Sequence, residues 1–552
     1  MQNEKLKVGL LLDGVKAAAW AYRMIEIIDR SDYAEVSLIL QNKAVSDGPA
    51  TASGIEPSRV TLIDRFLMVI QTYLVGRPGY LPNAFQPVDT RRRLAGVDLI
   101  EVSLGKDGDY QFIESEQLKN IGARKIDVLI QLGSGALRGE IMNLARFGVW
   151  FCGVGDLRMN KGNDGLWEVM ESRPETGSTL QILTAANHEP VVGYRSFSST
   201  NTMSLLDNRS NVMWKTLHFI PRALKELHRE GGEFFFQALK ERNQLRASVG
   251  SSSADPTTKN LVILIWKKVL EKIGRKWEDT FYFKQWSLLY DFHDGISASL
   301  EEFRHLTPPK DRFWADPFVV ERKGKYYVFV EEYLYATRKG HISLIVLNKD
   351  GSHEPPVRVL ETIYHLSYPF IFEFEGELYM IPESGANRTV DLFKCTDFPL
   401  KWEFQKHLME NVHAVDATLF QSHGKWWMFV NQVDTNGASS WDELYLYHSD
   451  SPLSTKWIPH RRNPVVSDVR SARPAGRMFL RDGRIIRPSQ NCGRHYGYGF
   501  NFCEIKKLTE TEYEEAVVQK LEPKWDKNII STHTINYADG VTVVDCQLSR
   551  RK

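Results

Sequence analysis

The sequence is short of several features, and each absence excludes something. Its 552 residues hold only five cysteines: Cys152, Cys395, Cys492, Cys503 and Cys546. No two of them form a CxxC or CxxxxC pair, which argues against a zinc site. Their odd number in a long chain reads as reduced, cytosolic thiols, and no metal is expected. Neither sign of charge dominates, since 70 Lys and Arg stand against 69 Asp and Glu. Nucleic acid is therefore not an expected partner, and no acidic tail points to disorder. No run of about eighteen apolar residues occurs, so no membrane span is expected. The opening MQNEKLKVGLLLDG moves directly into a strand-like run, without the h-region and cleavage site of a signal peptide. A cytoplasmic protein is the expectation. LLDGVKAAAW has one Gly after its strand instead of G-x-G-x-x-G, so a dinucleotide fingerprint is missing. A helix N-terminus there can still hold an anion. Walker A, H-E-x-x-H and G-x-S-x-G motifs are missing as well.

The first part of the chain alternates strand and helix patterns. KVGLLLDG, EVSLILQ and IDVLIQLG read as buried strands, and AAAWAYRMIEIIDR as an amphipathic helix. This rhythm implies a parallel sheet covered by helices. A helical stretch follows, and then ASVGSSSADPTTK (247–259), the clearest linker composition in the chain. NLVILIWKKVLEKIGRKW (260–277) reads as an amphipathic helix. Packing against a neighbouring domain is its favoured use, and peripheral contact with a membrane is the alternative.

After about residue 280 short alternating strands take over. Four segments overlay: ADPFVVERKGKYYVFVEE, SYPFIFEFEGELYMIPES, VDATLFQSHGKWWMFVNQ and ARPAGRMFLRDGRIIRPS. Each has a polar-containing start, an apolar strand, a turn with Gly and a second apolar strand. Their leading residues, Asp316, Tyr368, Asp416 and Arg473, are spaced by 52, 48 and 57 positions. A repeat of about fifty residues with several strands is a propeller signature. A fifth, weaker unit starts near HTINYADGVTVVD, with strands from elsewhere completing it. The expected organisation is an α/β domain over 1–225, a helical and polar linker over 226–279, and an all-β five-bladed propeller over 280–552.

In three units a polar residue closes the second strand fifteen positions after the leading one: Glu331, Glu383 and Asn431. In the fourth that place holds Pro488. A hairpin returns its ends to one edge, so these ends gather at one mouth of the propeller channel. The mouth then collects Asp316, Glu331, Glu332, Glu383, Asp416, Asn431, Arg473 and His533, with His495 and Tyr496 in a Gly-rich loop over it. Opposed carboxylates in one cavity are what acid/base work on a glycosidic bond needs. Charged residues that merely pair with each other, Arg473 with Asp416 for instance, are the structural alternative. Aromatics make up 11% of the chain. They suit sugar rings, although a large β core is their commoner use.

The fold pattern resembles the five-bladed propellers of arabinanases, xylosidases and levansucrases. ADPF is similar to the Asp-Pro step that carries their base or nucleophile, which implies that role for Asp316. VDAT sits where arabinanase-type enzymes place a second Asp that tunes the acid, here Asp416. Their general acid is a Glu opening the fourth blade, where this chain has Arg473, so Glu383 or Glu331 would supply the acid. FWADPFV, YPFIFEFEGELYMIPES, DATLF and ARPAG resemble, in order and spacing, the propeller-like N-terminal region of plant glucosamine inositolphosphorylceramide transferases. That resemblance covers roughly 280–552 and implies glycan or glycolipid metabolism.

Residues 126–183, with GDLRMNKG and GLWEVMESRPETGSTLQ at their centre, resemble 10-formyltetrahydrofolate-dependent formyltransferases. The resemblance spans roughly 5–225 and implies a formyltransferase-like α/β fold. The family uses an Asn, a His and an Asp. The His falls near Gly153 or Val154 and the Asn near Phe151, so two of the three roles are empty. Asp156, Asn160, Lys161 and His188 remain as a possible ligand site.

The leading expectation is a protein of surface-glycan or glycolipid biosynthesis that makes or processes a glycosidic linkage. Asp316 and Asp416 would take base and electrostatic roles, Glu383 the acid role, and Arg473 would bind a phosphate or carboxylate on the sugar. Glu331, Glu332, Asn431, His495 and His533 would contact a sugar, nucleotide sugar or glycolipid. No cofactor is expected. The alternatives are an N-formyltransferase acting on an amino sugar nucleotide, with 10-formyltetrahydrofolate as donor, and a non-catalytic glycan-binding scaffold.

Overall fold

The structure is a computed structural model and describes residues 4–43, 81–107, 110–133, 135–155, 165–184, 190–244, 258–297 and 299–552. The chain divides into two compact units. One is Met1–Val269 with Thr435–Ala438, and the other is Leu270–Asp434 with Ser439–Lys552.

The first unit is built on a seven-stranded sheet. Leu6–Leu12 pairs in parallel with Ala34–Asn42 on one side and Val128–Gln131 on the other. Asp98–Val102 and Val149–Val154 extend the parallel set at its two ends. Glu175–Leu183 and Val191–Ser199 follow as antiparallel additions. Val128–Gln131 is buried at all four positions, which is why its sequence is a plain apolar run: a central parallel strand is covered on both faces. Helices Ala19–Asp29 and Phe219–Glu230 cover the sheet with Ile25, Ile28, Leu224 and Leu227, packed into one core with Leu10, Ile130 and Trp150. Phe235 and Leu239 of helix Gly232–Gln244 join that core, inside the stretch that composition marked as linker.

The second unit is a five-bladed β-propeller. Blades 1 to 4 are sheets in simple chain order. They begin with strands Arg312–Arg322, Ser367–Phe374, Ala414–Ser422 and Phe479–Arg481. In each blade the first hairpin turns on the same two-residue unit, a side-chain-bearing residue followed by Gly, both at positive φ. These units are Lys323-Gly324, Glu375-Gly376, His423-Gly424, Asp482-Gly483 and, in blade 5, Asp539-Gly540. Such turns match the right-handed twist of the flanking strands, so the repeated Gly sets both the turn and the strand register.

Blade 5 is assembled from both ends of the propeller sequence. Ile535–Ala538 lies innermost and pairs with Val541–Arg551. That strand takes Tyr282–Asp291 as its next neighbour, from Tyr282 opposite Arg551 to Asp291 opposite Thr542. Arg304–Leu306 is the outer strand. The expected weak fifth unit is thus complete, and its borrowed strand closes the ring.

Helix Thr258–Phe281 covers the amphipathic 260–277 stretch. Lys268 on it is buried and donates to Ser172 Oγ and to the Thr202 carbonyl. Leu270, Ile273, Trp277 and Phe281 are all exposed.

Candidate functional site

The first strands of blades 1 to 3 share a local distortion. Ala315, Ser367 and Val415 lie opposite Glu331, Glu383 and Asn431, and the register slips immediately afterwards. The residue in the slip is the leading one, and all three sit at positive φ: Asp316 at 51°, Tyr368 at 41° and Asp416 at 55°. An L-residue held there costs roughly 1–3 kcal/mol, and bulges of this kind re-aim a side chain. Here they turn the leading side chains out of the ladder and toward the neighbouring blades.

The contacts show where they point. Asp316 Oδ1 accepts from Thr534 Oγ1 of blade 5 at 2.7 Å, and Oδ2 accepts from the backbone N of Tyr368 at 3.3 Å. Asp416 is gripped by Arg473 of the next blade, with Nε 2.5 Å from Oδ2 and Nη2 3.2 Å from Oδ1. Arg473 Nη2 also reaches Glu383 Oε2 at 3.4 Å. Tyr368 is a clamp between blades: its hydroxyl pairs with Thr418 at 2.9 Å and accepts from the backbone N of Gly476 at 2.8 Å.

Two groups outside the expected set complete the cluster. Gln490 donates to Asp416 Oδ2 at 3.1 Å. It closes blade 4 in place of Pro488, because its backbone N bonds Arg473 O at 2.7 Å. Asp545 closes blade 5, with Oδ2 2.7 Å from His533 Nδ1. His533 Nε2 stands 3.4 Å from Asp316 Oδ1, so one imidazole bridges two carboxylates. Asp316, His533 and Asp545 are buried and offer ligand atoms within 4.8 Å of one another, which is within reach of a cation. The two acids favour the charged form of the His533 ring between them, against its burial.

The charge balance governs the protonation states. Five buried or nearly buried carboxyls (Asp316, Glu331, Glu383, Asp416, Asp545) face two cationic groups, Arg473 and His533. A low-dielectric cavity disfavours the surplus negative charge, so some of these acids hold protons. Burial raises Glu331 well above the usual range, reinforced by Asp316, Glu383 and Asp416. Burial and Asp416 do the same to Glu383 against the pull of Arg473. Asp316 is pushed up to about 6, chiefly by burial, while His533 holds it down. Burial opposes the charged His533 ring, but Asp545 and Asp316 outweigh it and the net shift is upward. The mouth therefore combines two glutamic acids whose surroundings favour the protonated form with an aspartate pushed up to about 6.

Aromatic groups line the same place. Tyr496 lies 5.0 Å from the Arg473 guanidinium and meets His533 edge-on at 5.3 Å, with Trp441 5.5 Å from Tyr496.

Other candidates stand apart. Glu332 accepts from Arg312, Trp314, His341 and Ser343 within blade 1. Burial would raise it, but these hydrogen bonds hold it down to about 2. Neighbouring residues on a strand point to opposite faces, so Glu331 and Glu332 cannot share the mouth. His495 is exposed and bonds the carbonyl of Tyr496 at 3.1 Å, so Tyr496 alone of that pair enters the cluster. Asn431 is buried and donates to Ser440 O at 3.0 Å, while its Oδ1 has no hydrogen-bond partner among the described residues. Asp156, Asn160, Lys161 and His188 lie outside the described residues.

Residues 304–537 match the family described as Glucosamine inositolphosphorylceramide transferase 1, N-terminal. The matched span holds every cluster residue from Asp316 to His533, and Asp545 lies just beyond it. The Glucosamine inositolphosphorylceramide transferase 1 of Oryza sativa subsp. japonica is 35% identical over 209 residues, 37% of this chain and 28% of that protein. The Arabidopsis thaliana protein of the same name is 35% identical over 209 residues, 37% of this chain and 27% of its own length. The chain thus covers little more than a quarter of these curated relatives. Among solved structures, the catalytic domain of a Coprinopsis cinerea GH62 alpha-L-arabinofuranosidase is similar at 12% identity and a TM-score of 0.33. It covers 47% of this chain and 97% of that one. A family 117 glycoside hydrolase from Zobellia galactanivorans is similar at 12% identity and a TM-score of 0.32, over 48% of this chain and 91% of that one.

Proposed function

We propose that the propeller belongs to surface-glycan or glycolipid biosynthesis and makes or processes a glycosidic linkage at its axial mouth. The observation that carries this is the set of five buried or nearly buried carboxyls around Arg473 and His533, in which burial raises Glu331 and Glu383 well above the usual range beside Asp316, itself pushed up to about 6. Cleavage or formation of a glycosidic bond needs one group to protonate or deprotonate the bridging oxygen and another to stabilise or attack the anomeric carbon. Glu383 is the proposed acid, with Glu331 as the alternative, and Asp316 is the proposed base or nucleophile. Asp416, pinned by Arg473 and Gln490, stands beside Glu383 and, after burial, is the group that most raises the Glu383 carboxyl. Tyr496 and Trp441 offer apolar faces to a sugar ring. The similarity to glucosamine inositolphosphorylceramide transferases supports a sugar, nucleotide sugar or glycolipid as substrate.

N-formyl transfer by the first unit is the second function considered. Strand Val149–Val154 ends in Gly153 and Val154, where the formyltransferase resemblance places its His, and neither side chain transfers a proton. A non-catalytic glycan-binding scaffold is the third.

A thermal-shift panel of nucleotide sugars, free glycans and a folate analogue on the intact chain tests this. Stabilisation of about 2–3 kcal/mol is expected at a hundredfold excess over Kd. A shift with a sugar or nucleotide sugar that is lost on Tyr496→Ala supports the mouth. A shift with folate alone favours formyl transfer.

A further inference from the structure

We infer that helix Thr258–Phe281 docks the protein in the plane of an anionic phospholipid surface. Ile263, Trp266, Leu270, Ile273, Trp277 and Phe281 form one stripe along it, spaced by three or four residues, and are between 47% and 63% exposed. Six large apolar groups in a continuous exposed row need a partner. The helix is not apolar enough to cross a bilayer, since no described helix is. It therefore lies on the surface.

Charge identifies that surface. The helix carries six basic residues against three acidic ones; Lys268 is buried on Ser172 and Thr202, while Lys267, Lys272, Arg275 and Lys276 are exposed. Lys267 and Lys276 flank the stripe and are exposed. Its C-terminal end meets the basic end of the chain: the backbone N of Lys552 donates to Phe281 O at 3.0 Å, and the Lys552 ammonium reaches the carbonyl of Asp279. Arg551 pairs with Tyr282, and both Arg551 and Lys552 are exposed. Trp277, Phe281 and Tyr282 cluster there at 5.3 and 5.8 Å. Tryptophan beside an exposed lysine suits the headgroup boundary, with Glu278 and Asp279 as the opposing charges there. A second copy of the helix fits less well. The three-four spacing also describes a two-helix seam, but its flanking positions are Lys267, Val269, Gly274 and Lys276, with no acid to set a partner.

The placement gives the helix a use. Asp545, at the mouth, lies opposite Leu288, and the same strand pair runs six residues further to Tyr282 and Arg551. At roughly 3.3 Å per residue the helix joins the propeller about 20 Å beyond the mouth level, on the mouth side. If the mouth acts on a glycolipid, which rests on the function proposed above, the helix brings that face to the lipid surface.

Flotation of the full chain with vesicles tests the inference. Vesicles of phosphatidylcholine are compared with vesicles holding about 30% phosphatidylserine. The chain is expected to float with the anionic vesicles and to detach as salt rises. Trp266→Glu with Trp277→Glu should lower the bound fraction about tenfold. Lys276→Glu with Arg551→Glu and Lys552→Glu should do so by a similar factor. All substituted positions are exposed, and an unchanged melting temperature confirms folding. Failure to float, or flotation indifferent to the stripe, overturns the inference. So does a dimer, seen by ultracentrifugation, that the Trp substitutions dissociate without any vesicle binding. Asp316→Asn should float like the unaltered chain, which keeps this test separate from the function of the mouth.

Discussion

Replacing Asp316 by Asn should make the protein more stable at neutral pH, and the gain should depend on pH. Asp316 rises from an ordinary 3.8 to about 6 on folding, because it is buried among other acids. A carboxyl raised in this way contributes stability below its unfolded value and loses it as pH climbs through its folded value. Two units of difference at 1.36 kcal/mol each correspond to about 3 kcal/mol by pH 7. Asn does not ionise, so the variant avoids this loss. It also gives up an acceptor for the Tyr368 backbone N or for Thr534, at about 1 kcal/mol each. The stability of Asp316→Asn relative to the unaltered chain should therefore rise by about 2 kcal/mol between pH 4 and pH 7. Urea denaturation across that range, followed by circular dichroism, gives the two curves. Parallel curves would refute the charge balance, and an advantage that shrinks as pH rises would show that Asp316 is stabilised as an anion.

Arg473→Leu should destabilise the propeller by about 3–5 kcal/mol, because Asp416 loses its buried guanidinium partner. Adding Asp416→Asn should recover part of that loss in a denaturation cycle. Gly424→Ala should cost only about 1 kcal/mol, since its φ is 73° but no atom lies within 4 Å of the added Cβ. Gly476→Ala should abolish soluble propeller, because its Cβ would meet the Ile535 carbonyl oxygen at 2.0 Å; expression and circular dichroism separate the two. Removing residues 541–552 should cost the propeller its cooperative unfolding, since Tyr282–Asp291 loses its whole ladder.

The propeller is legible because its hairpins are short-range objects. A side chain followed by Gly between two apolar runs states its own geometry, and the same offset carries the leading residues to one mouth. The sequence fails where the chain departs from that offset. Blade 4 opens with a three-residue strand preceded by an isolated bridge, Pro474 to Ser489, so its closing residue falls at Gln490 instead of fifteen positions on. Blade 5 closes at Asp545, twelve after His533, because its inner strand is shorter. Glu332 was separable from Glu331 by strand alternation alone. Tyr496 and His495 are neighbours in a loop, where no periodicity says which one faces inward. Exposure of the Leu270–Phe281 stripe was not readable, since an apolar stripe looks the same whether a domain or a membrane covers it.

The central claim is that the axial mouth performs chemistry on a sugar. The direct measurement is product formation, by mass spectrometry, with the sugar ligand found in the thermal-shift panel, for the unaltered chain, Asp316→Asn and Glu383→Gln. The account predicts turnover in the unaltered chain, a loss of about a hundredfold or more in each variant, and ligand affinity within a few-fold of the original. Binding without turnover in the unaltered chain, or turnover undiminished in both variants, would contradict it.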